Sequence, residues 1–259
     1  MRVSSTSADA ATEISGLRGN KQTAWIIHLF TMSGVILGLK AIQAIGEKRP
    51  KDAMLWMLVA MVVDGIDGPL ARAFHVREHV PILDGNSLDL MIDFLACVAA
   101  PAFFVHSFNM LPRSSSLFFA AVIMLSGVIW MSRTDMLTLD DYFVGFPAMW
   151  NIVITLLYLL GTNHAANIAA IMFFAVISFT KIKFVHPVRT RDFRQLTIGV
   201  MSVWLAVQIF LIVDLKSNDK YDADGPHWAK AIVLAGTAYH AFLVIRRTRM
   251  KASNETKSH

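Results

Sequence analysis

The chain reads as an all-α protein, a polytopic membrane helical bundle of about eight transmembrane helices with both termini on the cytoplasmic side. Three observations predict this. Hydrophobic residues make up 55% of its 259 positions, and a mean hydropathy of +0.50 is too high for a soluble protein of this size. Apolar stretches recur at about the 20 residues a helix needs to cross hydrocarbon. Lysines and arginines gather in alternate connections between those stretches.

Taken in order, residues 1–20 are polar and mixed in charge and are expected to form a flexible or interfacial tail. The apolar run at 24–45 is longer than a signal-peptide core and is read as a retained first helix. The next stretch, 53–71, ends in acids, and the third, 88–111, begins with them. Stretches at 115–132, 143–161 and 165–182 follow, the middle one short and interrupted. A basic, Pro-containing connector around 184–194 precedes two more at 196–213 and 228–245. The expected organisation is a single integral-membrane domain, with residues 24–183 as a six-helix catalytic core and 195–247 as a final helix pair.

With the N-terminus inside, Arg72, Arg77, Arg133, the bases from Lys181 to Arg194 and the tail from Arg246 face the cytoplasm. Lys48, Arg49, Lys51, Arg113, Lys216, Lys220 and Lys230 face the other side, a balance of about two to one. A net charge of +5 does not indicate nucleic acid, because the bases flank apolar spans and suit membrane lipid headgroups instead. The lone Cys97 lies within a span and excludes an intrachain disulfide.

The chemistry concentrates between Asp64 and Asp93, where D-G-I-D-G-P-L-A-R is followed by D-G-N-S-L-D-L-M-I-D. Intramembrane acids are costly and usually functional. Asp64 and Asp67 stand three apart and Asp89 and Asp93 four apart, so each pair projects from one helix face. Turned together, the two faces would make a four-carboxylate cup suited to Mg²⁺ or Mn²⁺ rather than zinc. Gly65, Gly68 and Gly85 leave room for a phosphate to approach backbone, and Arg72 offers a planar cation to its oxygens. A phosphoryl-transfer site is the first reading; a cation-handling transporter is the second. A merely structural polar network is disfavoured, since four acids outnumber the nearby Arg72 and Arg77.

These residues resemble the CDP-alcohol phosphotransferases, whose pattern D-x-x-D-G-x-x-A-R then G-x-x-x-D-x-x-x-D is matched by Asp64, Asp67, Gly68, Ala71, Arg72, Gly85, Asp89 and Asp93. One departure stands out: twelve residues separate Arg72 from Gly85, more than is usual in the family. The extra length is expected to enlarge the connecting loop without moving the acids out of phase. The resemblance implies that Asp64, Asp67 and Asp89 hold one or two ions of Mn²⁺ or Mg²⁺, and that Asp93 is the general base. Whether Asp93 is base or fourth ligand stays open on the residues alone. By the same resemblance Gly68, Ala71, Arg72 and Gly85 line the CDP pocket, with His28 and Thr31 as further nucleotide contacts.

The wider pattern is similar to the phosphatidylcholine synthase branch of that family, through H-L-F-T-M-S-G in the first span, D-D-Y-F-V-G-F-P-A-M-W-N from Asp140 to Asn151, and K-F-V-H-P-V-R from Lys183. This resemblance implies transfer from CDP-diacylglycerol to choline in a bacterial inner membrane, with the active site facing the cytoplasm, and a homodimer. Within the family, serine, inositol or glycerol phosphate are the alternative acceptors. A quaternary ammonium donates no conventional hydrogen bond and is recognised by aromatic faces and negative charge. Asp141, Tyr142, Phe143, Phe146 and Trp150 are therefore the choline candidates, against the competing reading of an interfacial aromatic belt.

Overall fold

The computed structural model describes residues 19–138, 142–185, 193–215 and 225–256. Asn20 caps α1 (Lys21–Gly46) by accepting from the Thr23 amide at 2.9 Å. A tight turn in which Arg49 pairs with Glu47 and Asp52 leads into α2 (Pro50–Ala73), which starts on a proline, where a missing amide costs nothing. Pro69 lies inside α2, yet the helix continues to Ala73; the residue four before it is Gly65, beside which a Cβ would meet nothing within 4 Å.

A one-turn helix α3 (Val76–His79) joins α2 to α4 (Gly85–Asp93). The helix of α4 then widens into a π segment, Phe94–Ala99, before resuming as α5 (Ala100–Ser107). Pro101 accounts for the change, because it cannot donate to the Cys97 carbonyl and its ring would collide there in a regular helix. After α6 (Ser116–Met131), β1 (Tyr142–Val144), α7 (Trp150–Leu160) and α8 (His164–Ile177), the chain forms β2 (Lys183–Val185), α9 (Arg194–Asp214) and α10 (His227–Thr256).

Five of these helical segments are long and apolar enough to cross a membrane: Lys21–Gly46, Pro50–Ala73, Gly85–Ser107, Gln195–Asp214 and His227–Arg246. Three apolar helices, α6, α7 and α8, are shorter. The protein is thus an all-α membrane protein, with one small exception among the described residues, a two-stranded antiparallel ribbon in which Tyr142 pairs with Val185 and Val144 with Lys183. The ribbon replaces the first part of the 143–161 stretch because Gly145 takes φ +77° beside the Ser178 carbonyl and Pro147 follows. Trp130 Nε1 donates to the Val144 carbonyl at 2.8 Å and ties the ribbon to α6.

Between membrane helices, close packing of small residues matters more than apolar burial. Gly34 and Gly38 of α1 face Ile92 and Leu95, and Gly127 of α6 faces Val98; an added Cβ would come within 2.5, 2.8 and 2.5 Å of these side chains. The helix carrying Asp89 and Asp93 is therefore gripped from two sides. On the last pair, Trp204 of α9 lies over Gly236 of α10 and donates to the Val233 carbonyl at 3.0 Å. Trp204, Leu211, Ile212, Ala229 and Val233 join one apolar cluster with Phe104, Ile123 and Ile154.

Candidate active site

Helices α2 and α4 both pack on α1, and Asp64 of α2 meets Asp89 and Asp93 of α4. Asp84 begins α4 as its cap, accepting from the Ser87 hydroxyl at 2.5 Å and the Ser87 amide at 3.2 Å, and these bonds hold its carboxyl below the usual range. The four-residue spacing then places Asp89 and Asp93 on one face. Carboxylate oxygens of Asp64, Asp89 and Asp93 all fall within 4.8 Å of one another. Asp93 immediately precedes the π segment, and the Cys97 thiol lies 3.8 Å from its Oδ1.

Three oxygens so grouped fit a hard divalent cation, since ligands held at roughly 2.0–2.6 Å from a common ion stand within about 5 Å of each other. Asp67 is not in this group. It lies buried in an adjoining cleft whose wall also holds Thr31 and Arg72. Of the four anticipated carboxylates, three form this group and Asp67 lines the cleft beside them. Asp89 belongs to both compartments, being in the triad and on the cleft wall.

The cleft encloses about 370 Å³. His28, Thr31, Gly68, Ala71, Arg72 and Gly85, the six residues expected around a nucleotide, all line it. At Gly68 a Cβ would sit 3.2 Å from an Arg72 guanidinium nitrogen, whereas at Gly85 it would meet only the His28 ring at 4.0 Å. Gly65 is not among the lining residues.

None of the described aromatic candidates lines the cleft. Tyr142 and Phe143 are successive strand residues and point to opposite faces; Lys183 Nζ stands 5.6 Å from the Tyr142 ring, and Phe143 packs edge-on against Trp130. Phe146 and Trp150 form a buried pair with ring centroids 5.2 Å apart, and Phe143 packs against the same apolar cluster. Asp141 lies outside the described residues.

The chain is 42% identical over 194 residues to a phosphatidylcholine synthase of Pseudomonas aeruginosa, a match covering 75% of this chain and 82% of that protein. Phosphatidylcholine synthases of Rhizobium johnstonii and Brucella melitensis are 32% and 30% identical, over 83% and 90% of this chain and 86% and 84% of their own lengths. The chain belongs to the phosphatidylcholine synthase family. No family model matches it.

In this phosphatidylcholine synthase family member, the cleft wall also contains residues outside the acidic motif. His75, Arg77, Glu78 and Asn86 line it, all but Asn86 supplied by the long connection between Arg72 and Gly85. That connection is folded against the first helix, where Val76 and Val80 are buried with Ala24 and Ile27. The added length makes a wall of the site rather than a remote loop. The two buried valines four apart were the available signal for this docking.

Proposed function

We propose that this protein transfers the phosphatidyl group of CDP-diacylglycerol to choline, giving phosphatidylcholine and CMP by direct, metal-assisted displacement. The observation that carries the reading is the junction of two compartments at Asp89: a carboxylate triad on one side and a cleft lined by the six nucleotide-motif residues on the other. The phosphatidylcholine synthases among its relatives support choline as the acceptor.

In this mechanism Arg72 and the backbone at Gly68 and Gly85 hold the cytidine diphosphate, leaving the acyl chains in lipid. Asp64 and Asp89, with Asp67 alongside, would hold Mn²⁺ or Mg²⁺, which supplies neutralising charge for the diphosphate oxygens and the departing CMP. Asp93 takes the proton from the choline hydroxyl. The resulting oxygen forms a bond to the phosphorus bearing diacylglycerol as the bond from that phosphorus to CMP breaks. Eight spans, with the three shorter apolar helices completing the five long ones, and an inward-facing site in a bacterial inner membrane, are supported by the lysine and arginine distribution. A homodimer rests on the family resemblance alone.

The test is a radiolabelled-choline assay on purified protein with CDP-diacylglycerol and Mn²⁺, run beside serine, inositol and glycerol-3-phosphate. Choline-dependent lipid and stoichiometric CMP, both absent in Asp93→Asn, are expected. Product from another alcohol alone would overturn the choline assignment, and no product from any alcohol with folded protein would favour cation transport.

A further inference from the structure

Among the described residues, nine buried side-chain nitrogen and oxygen atoms lack a hydrogen-bond partner, and four of them lie within one and a half turns of α7: Trp150 Nε1, Asn151 Nδ2, Asn151 Oδ1 and Thr155 Oγ1. All three residues have zero solvent exposure. Asn151 and Thr155 stand four apart and share a helix face. A buried polar atom left without a partner is destabilising, and native interiors nearly always satisfy it. A concentration of four such atoms on a short apolar helix therefore points to something polar that binds there.

The surroundings restrict what that is. The groups are neutral, and each of Asn151 and Thr155 can both donate and accept. Phe146 lies beside Trp150, with Phe174 at 4.7 Å and Phe184 at 6.0 Å from the Phe146 ring. The segment leading into α7 is strained, with buried Ala148 held at φ +53°, a condition that clusters at ligand sites. Finally, α7 packs directly on α2 and on the π segment after Asp93, so it touches both helices that carry the triad.

We infer that this face of α7 is the acceptor-alcohol site, taking a small alcohol that carries a quaternary ammonium. Asn151 and Thr155 bind its single hydroxyl, and the rings of Phe146 and Trp150 receive the ammonium, which needs aromatic faces rather than hydrogen bonds. This rests on the reading of the protein as a choline phosphatidyltransferase and adds Asn151 and Thr155 to it as specificity-determining residues. It also retains two of the aromatic candidates, Phe146 and Trp150, and releases Tyr142 and Phe143.

The inference is tested by steady-state kinetics of Thr155→Val and Asn151→Leu, with choline and CDP-diacylglycerol varied separately and thermal unfolding of each protein measured in detergent. Both replacements keep side-chain size while removing hydrogen-bonding atoms. The expected result is a rise of about tenfold in choline KM for each variant, with CDP-diacylglycerol KM and unfolding temperature close to those of the parent. Unchanged choline KM in folded variants, as bound water alone would give, overturns the inference, as does an equal rise in both KM values. If Asn151→Leu does not fold, Thr155→Val decides by the same criteria. A parent protein that makes no lipid from choline would instead sink the proposed function.

Discussion

Gly34 and Ile92 meet with no space for one further carbon: a Cβ on Gly34 would lie 2.5 Å from Ile92 Cγ2. Ile92 is the residue immediately before Asp93, so whatever moves one moves the other. Gly34→Ala is expected to push α4 outward and lower turnover at least tenfold, with a stability loss of about 1–3 kcal/mol from overpacking. Gly46→Ala, where a Cβ meets nothing within 4 Å, should leave both turnover and unfolding temperature near the parent's. Equal behaviour of the two variants would refute the gripping role of Gly34.

Asp93 and Asp64 should separate by function although both belong to the triad. Asp93→Asn is expected to lose turnover by about 10²-fold or more, the range for a removed general base, while still binding CDP and Mn²⁺ in titration calorimetry. Asp64→Asn should lose Mn²⁺ binding as well. Loss of the metal in both would recast Asp93 as a ligand.

Arg77 comes from the long connection yet reaches the cleft. Arg77→Ala is expected to raise the KM for CDP-diacylglycerol roughly five- to tenfold, as loss of one charge-assisted hydrogen bond would, without altering the KM for choline. A kinetic profile identical to the parent's would return this segment to a purely structural role.

Chelation should abolish turnover, and added Mn²⁺ or Mg²⁺ should restore it, because the triad offers only carboxylate oxygens. Activity persisting after dialysis against EDTA, with metal absent by elemental analysis, would exclude the metal-assisted route. Asp89→Asn should weaken both metal and CDP binding, reflecting its place in two compartments, whereas Asp64→Asn should leave apo-protein affinity for CDP nearly intact.

Much of the site was legible because its residues are near neighbours in sequence. The three- and four-residue spacings of the acids put their carboxylates on common faces, and Gly68, Arg72 and Gly85, all downstream of Asp64, line one cleft with Asp67. That Asp67 shares a cleft wall with Thr31 of α1 was not legible, because the two are far apart in the chain. Nor were the close contacts of Gly34, Gly38 and Gly127, which pair residues far apart in the chain. The 143–161 stretch was hydrophobic enough for a full helix, but Gly145 and Pro147 redirect its first part into the ribbon. The aromatic residues there were grouped by sequence proximity, whereas strand alternation sends Tyr142 and Phe143 apart.

The π segment Phe94–Ala99 gives the helix two angular reference frames that meet at Asp93. Upstream, the reactive carboxylates and the Ile92 contact with Gly34 are set by one frame; downstream, the Leu95 and Val98 contacts with Gly38 and Gly127 are set by the other. A π turn holds one residue more than an α turn, so a one-residue deletion between 94 and 99 closes the segment into ordinary α-helix and keeps both frames in phase. An insertion has no such outlet and would rotate Asp89 and Asp93 by about 100° relative to the contacts beyond. The triad thus depends on a count of backbone units beyond it, and the widened turn makes that count more tolerant of a loss than of a gain.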